Sequence, residues 1–211
     1  MSKMEEVREL VVKGKAKLIA AATQEALDEG NAASAVLDIM IDAMGEVGEK
    51  FKNNEIFVPE MLIAARAMKK GVEVLKPELA AAGGAATNGK IILGTVAGDL
   101  HDIGKNLVGL MFESAGFEVI DLGVDVPKEK FVETFRANPD TKIIALSALL
   151  TTTMPAMAEA AALINEQDFR KDIKVMVGGA PITQEFANQI GADAYTADAA
   201  SAAQKAKELV A

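Results

Sequence analysis

The hydrophobic pattern of this chain changes its period near residue 90, and that change constrains the fold more than any other feature. Before it, each apolar stripe steps by three or four residues, the spacing of one helix face. Met4, Val7 and Val11 begin a stripe that Gly14 interrupts; Leu18, Ala22 and Ala26 resume it until Gly30, a suitable C-terminal cap. A second helix is expected from about Asn31 to Phe51, with Val36, Met40, Met44, Val47 and Phe51 on one face. Lys52-Asn53-Asn54 breaks that pattern, and Pro59 fits the first turn of a third helix because it has no backbone donor to lose there. Met61, Ala65, Met68, Val72, Leu75 and Leu79 then recur at the spacing of antiparallel bundle packing. Met40, Met44, Met61 and Met68 read as adaptable core packing.

Beyond the change, short apolar runs alternate with amphipathic stretches. Strands are expected near 90–96, 117–122, 142–147, 173–177 and 193–195. Five strand-then-helix repeats predict a flavodoxin-like (Rossmann-type) doubly wound parallel five-stranded sheet, with strand order 2-1-3-4-5 and right-handed connections. Pro77 lies near the end of the third helix, and Ala80 to Gly89 carries small residues and three glycines. The organisation is therefore an N-terminal all-α helical bundle over 1–82, a linker over 83–89 and an α/β domain over 90–211.

Composition narrows the partners. With 31 acidic against 22 basic residues the net charge is -9, which repels a phosphate backbone and argues against nucleic acid. The absence of cysteine excludes disulfides, thiolate metal sites and iron–sulfur clusters. Neither a signal peptide nor an apolar run near 18 residues is present, so a soluble, cytoplasmic protein with no membrane partner is expected.

The stretch KIILGTVAGDLHDIGK (90–105) runs from the first strand into a helix and holds the only histidine, His101. Its polar centre falls at the carboxyl edge of the sheet, where open α/β folds bind ligands. The third- and fourth-strand loops, SALLTTT and GGAPIT, share that edge, and their small and hydroxylated residues let a large ligand approach the backbone. A phosphate loop fits poorly. Five residues separate Gly98 from Gly104 where a P-loop has four, Lys105 is followed by Asn106, and Asp99 and Asp102 repel phosphate. The glycine fingerprint of dinucleotide sites is absent as well. His101 alone is compatible with an ordinary surface histidine. Asp99 stands two residues before it, a spacing that can put a carboxylate on one ring nitrogen and leave the other as a metal ligand or base. One histidine without cysteines cannot build a zinc site, but it suits axial ligation of a metal already held by a macrocycle, haem included.

Three motifs then occur in order. Asp99-Leu100-His101-Asp102-Ile103-Gly104 matches D-x-H-x-x-G, Ser147-Ala148-Leu149 matches S-x-L, and Gly178-Gly179 supplies paired glycines. Together they resemble the cobalamin-binding domain shared by methionine synthase, cobalamin-dependent mutases and corrinoid methyl carriers. Mutases resemble the chain only from about Lys90 onward. The small corrinoid proteins of anaerobic methyl transfer resemble nearly all of it, including a helical cap and the lack of a fused catalytic domain.

The resemblance implies cobalamin or a related corrinoid as cofactor, with His101 as lower axial ligand of cobalt. Asp99 would bond the far imidazole nitrogen, and Thr153 would supply the relay hydroxyl where methionine synthase uses serine. Gly98, Leu100, Asp102, Ile103 and Gly104 would complete the cofactor loop. Ser147, Leu149 and Thr151 would line the slot for the displaced lower base, Gly178 and Gly179 would let its tail pass, and Ala199 would close it. Phe51 and Val58, seven apart, match in spacing the two apolar cap residues that cover the corrin in methionine synthase. The implied function is a methyl shuttle, non-catalytic alone, cycling cob(I)alamin and methylcob(III)alamin between a substrate-specific barrel methyltransferase and a second, methyl-accepting methyltransferase, with a reductive activase as a further partner. The alternatives are a cobalamin-binding subunit of a radical mutase, against which the helical cap argues, and a cobalamin-sensing regulatory module, for which no basic recognition helix is present. A flavodoxin or receiver module without corrinoid would make the Asp99 and His101 pair accidental.

Overall fold

The computed structural model describes residues 2–81 and 88–211, which divide into two compact units, one holding four helices and the other a sheet. The expected linker at 83–89 lies outside the described residues apart from Asn88 and Gly89.

The helical unit comprises α1 (Lys3–Val12), α2 (Ile19–Asp28), α3 (Ala33–Lys52) and α4 (Val58–Ala81). Ser2 and Glu5 form a reciprocal capping box at the start of α1. Gly30, at φ +89°, ends α2 as its spacing predicts, with its amide on Leu27 O and that of Asn31 on Ala26 O. Asn54 takes the same left-handed conformation after α3, which is why the helix stops there. Val36, Met40, Met44 and Val47 are buried along α3, as are Met61, Ala65, Met68, Leu75 and Leu79 along α4. Leu18 departs from its expected stripe: it precedes the first turn of α2 and is 57% exposed, while Ile19 takes the interior position. Pro59 lies in the first turn of α4, which runs on through Pro77 to Ala81.

The second unit is a five-stranded, all-parallel sheet in the order β2-β1-β3-β4-β5. Its elements are β1 (Lys90–Thr95), α5 (Ile103–Ser114), β2 (Glu118–Asp121), α6 (Lys128–Ala137), β3 (Thr141–Ser147), α7 (Met154–Asn165), β4 (Lys174–Gly178), α8 (Gln184–Gln189), β5 (Ala194–Tyr195) and α9 (Ala199–Val210). The central strands bury both faces, as strands covered by helices on each side must: Ile91, Ile92, Ile143, Ile144 and Val175 are fully inaccessible. Thr95 pairs in register with Ser147, and Ser147 with Gly178. The three loops therefore leave the sheet at one level. Among the described residues no helix is long and apolar enough to cross a membrane.

Candidate functional site

Each of those loops is fixed by a local device. Asp99 N donates to Val96 O at 3.2 Å, closing a turn in which Gly98 sits at φ +80°, the conformation that the third position of a type II turn requires. Thr95 Oγ1 donates to His101 O at 3.0 Å and holds the far side of the loop to β1. After β3, a single 3-10 turn over Thr151–Thr153 leads into α7 and turns Thr153 inward. After β4, Gly179 sits at φ +133°, and a Cβ there would stand 1.8 Å from Ala148 O. No other residue permits that approach of the third and fourth loops.

The centre of the site is the Asp99 carboxylate, which is completely buried. Its Oδ1 lies 2.7 Å from His101 Nδ1 and accepts from the His101 amide at 3.1 Å. Its Oδ2 accepts from the Leu149 amide at 2.7 Å and the Thr153 hydroxyl at 2.8 Å. Burial pushes the Asp99 carboxyl up, but the Leu149 amide, the His101 ring and amide, and the Thr153 hydroxyl outweigh it and hold the group well below the usual carboxylate range. An ionised carboxylate only accepts, so the proton of a neutral His101 ring is assigned to Nδ1 and the lone pair to Nε2. The His101 side chain is 49% exposed, so this nitrogen belongs to a ring open to solvent. Leu100 and Ile103 beside it are 72% and 85% exposed, a large apolar area for a loop to present unless something covers it.

Asp99, His101 and Thr153 are thus brought together. Asp102 is exposed, and its backbone and carboxylate oxygens accept from Asn106 in the first turn of α5. Gly104 lies in that same turn, with open space around the position a Cβ would take. Ser147 is half-buried at the end of β3, whereas Leu149 and Thr151 are exposed beyond it. Gly178 would accept a Cβ in ordinary contact with Thr196 O, unlike Gly179. Ala199 opens α9 behind the Asp198 cap and is buried. Phe51, half-buried in the last turn of α3, and Val58, exposed at the start of α4, belong to the helical unit.

Sequence reasoning missed three supports. Thr95, on the central strand, carries no motif. Lys105 enters the sequence argument only as a phosphate ligand, but its side chain is buried and its Nζ lies 2.5 Å from Asp121 Oδ2. Asp125, in the loop after β2, bonds the backbone of both Gly98 and Asp99, and no motif marks it. Among the described residues no group of three or more histidine and acidic side chains could cage a metal ion. What this edge offers chemically is one imidazole nitrogen on a half-exposed ring, backed by a buried carboxylate.

Comparison with known proteins bears on that chemistry. A B12 binding domain matches residues 89–206, and a second kind of B12 binding domain matches residues 4–76. The chain is 43% identical over 215 residues to dimethylamine corrinoid protein 1 of Methanosarcina acetivorans, covering 100% of both. A cobalamin-binding protein from Desulfitobacterium hafniense superposes with a TM-score of 0.83 at 29% identity, over 99% of this chain and 98% of that one. The methanol:cobalamin methyltransferase complex of Methanosarcina barkeri gives 0.83 at 27% identity, over 99% of this chain and 79% of the matched one. Two B12-binding matches that between them span most of the chain, and a full-length corrinoid relative, show that the protein belongs to the family of B12-binding corrinoid proteins, with cobalamin or a related corrinoid as its cofactor.

Proposed function

We propose that this protein carries a methyl group on its corrinoid from a substrate-specific methyltransferase to a second methyltransferase that accepts it, and that it is not catalytic alone. When bound, the corrinoid supplies a cobalt centre able to take up and release a methyl group. The observation that carries the reading is the 2.7 Å contact of His101 Nδ1 with Asp99, which leaves Nε2 of a half-exposed ring for cobalt.

The site fits a corrinoid. A macrocycle brings its own equatorial donors, so one protein nitrogen suffices, and its apolar edge would cover Leu100, Ile103 and Leu149, all exposed in the protein alone. Gly179 approaches the Ala148 backbone with no side chain of its own, at the edge where a nucleotide tail would enter. Asp99 orients the imidazole and holds the Nδ1 proton; the Thr153 hydroxyl extends that chain by one step. Ser147, Thr151, Gly178 and Ala199 are assigned to the tail of the cofactor, with Gly98, Asp102 and Gly104 in its loop. Phe51 and Val58 are offered as apolar cover from the helical domain, residues 1–82, with residues 90–211 as the domain that holds the corrinoid.

The names of the relatives support methyl transfer and suggest methylated amines and methanol as the first donors to try, with a barrel methyltransferase as partner and a reductive activase to restore cobalt(I). The test is to mix the protein with hydroxocobalamin and record the visible spectrum before and after His101→Ala. Stoichiometric uptake with a spectrum that changes in the variant is expected; no uptake by the native protein ends the reading. Adding partner methyltransferases with each methyl donor in turn then identifies the substrate.

A further inference from the structure

We infer that Asp125 is a positioning residue for the axial histidine, acting through the backbone of the turn that presents Asp99; this rests on His101 being the cobalt ligand. Asp99 can orient His101 only if its own backbone is held. The turn that carries it contains Gly98, the residue with the most backbone freedom, at a left-handed φ of +80°. Two bonds from Asp125 secure that turn. Its Oδ1 accepts from the Gly98 amide at 2.7 Å, and its own amide donates to Asp99 O at 2.9 Å.

The geometry needed to make both bonds is unusual. Asp125 sits at φ +52°, one of only two non-glycine residues among those described with a positive φ. Aspartate is one of the few side chains that tolerate this region. The rest of the β2–α6 loop is tied to β1: Thr95 N donates to Gly123 O at 3.0 Å, Val126 N to Thr95 O at 3.0 Å, and Val96 bridges Val126 in parallel. The loop after β2 therefore continues the sheet alongside the histidine loop and ends on the two residues that set its exit direction. Glycine at 125 would satisfy the backbone angle more easily, so the carboxylate is the part that the conformation does not explain. Its bond to Gly98 supplies the explanation.

Three variants separate these contributions. Asp125→Gly keeps the amide bond to Asp99 O and relieves the φ, removing only the carboxylate; Asp125→Asn retains an oxygen that accepts from Gly98 but no charge; Asp125→Ala removes the carboxylate and meets the unfavourable φ. In the protein without corrinoid, Asp125→Gly should speed hydrogen exchange of the Gly98 amide, and Asp125→Asn should restore it. In hydroxocobalamin-loaded protein, the ratio of histidine-ligated to unligated spectrum should fall about 3- to 10-fold in Asp125→Gly and recover in Asp125→Asn, one step weaker than the 10- to 100-fold typical of a ligand's direct partner. A ratio unchanged in Asp125→Gly, in protein whose spectrum still responds to His101→Ala, overturns the role of Asp125 and leaves His101 as ligand. An Asn variant that behaves like the Gly variant also overturns it, because charge rather than the bond would then matter. A native spectrum indifferent to His101→Ala removes the ligand reading itself, and this inference with it.

Discussion

Asp99 gathers the ring and amide of His101, the Leu149 amide and the Thr153 hydroxyl onto one buried carboxylate, so its removal affects stability as well as the site. In protein without corrinoid, Asp99→Ala should cost about 1–3 kcal/mol near neutral pH, since it orphans the Leu149 amide and frees the histidine loop. The pH dependence has a definite sign. The Asp99 carboxyl is held below its ordinary value, so the stability it contributes is fully present above about 4, the unfolded value, and is lost as pH falls toward its folded value. Urea unfolding of both proteins between pH 7 and pH 3 should therefore show their difference shrinking below about 4; a constant difference would refute it. Two glycines make a contrasting pair. Gly179→Ala places a Cβ 1.8 Å from Ala148 O and should destabilise the protein by about 2 kcal/mol or more. Gly104→Ala meets nothing within 4 Å and should stabilise the corrinoid-free fold by about 0.5 kcal/mol in a melting experiment; weaker hydroxocobalamin uptake by the same variant is the outcome expected if Gly104 belongs to the proposed cofactor loop. The difference also marks what sequence can reveal. Spacing within one loop exposes Asp99 and His101, and resemblance points to Thr153, but Asp125 bonds across loops, once through its carboxylate and once through its amide, to backbone groups that leave no residue pattern to read.

At the scale of elements, periodicity carried most of the fold because burial here follows simple rules. The α3 and α4 stripes are interior except at Phe51 and Val72, which are half-buried, and the strand order is the flavodoxin-like one expected of five short parallel strands with helical connections. Leu18 is the exception: its carbonyl already accepts from Ala22 N, yet its side chain is exposed and Ile19 is buried instead, a choice between adjacent apolar residues that spacing alone does not fix. Pro77 lies near the end of α4 as expected, and the helix continues four residues past it, so the missing donor costs a bond without stopping the helix. Inside the unit, α3 and α4 pack closely at Met40 and Gly71: a Cβ at Gly71 would lie 2.6 Å from Met40 Cε and 3.1 Å from Ile19 Cγ1. Met40 is fully buried, so Met40→Ala should destabilise the helical unit by about 2–5 kcal/mol. Gly71→Ala should cost less, since the end of a methionine can swing aside. Helical circular dichroism in urea measures both, and equal losses would show that the contact is not the yielding one described.

The described residues divide into two units, and the residues that hydrogen-bond the Asp99 carboxylate all belong to the second. The three strand ends that align the loops, the clamp of Gly179 on Ala148, and the Asp125 bonds are internal to it too. The two B12-binding matches follow the same division, one over residues 4–76 and the other over 89–206. A fragment spanning 88–211 should therefore fold on its own, with a cooperative thermal transition and the same slow exchange at the Leu149 amide as in the full chain. It should take up hydroxocobalamin and give a spectrum that His101→Ala alters. If the fragment folds but binds no corrinoid, the helical residues contribute to uptake itself, and Phe51 and Val58 become the first positions to substitute in the full chain; if it shows no cooperative transition, the sheet requires the helical unit for its stability.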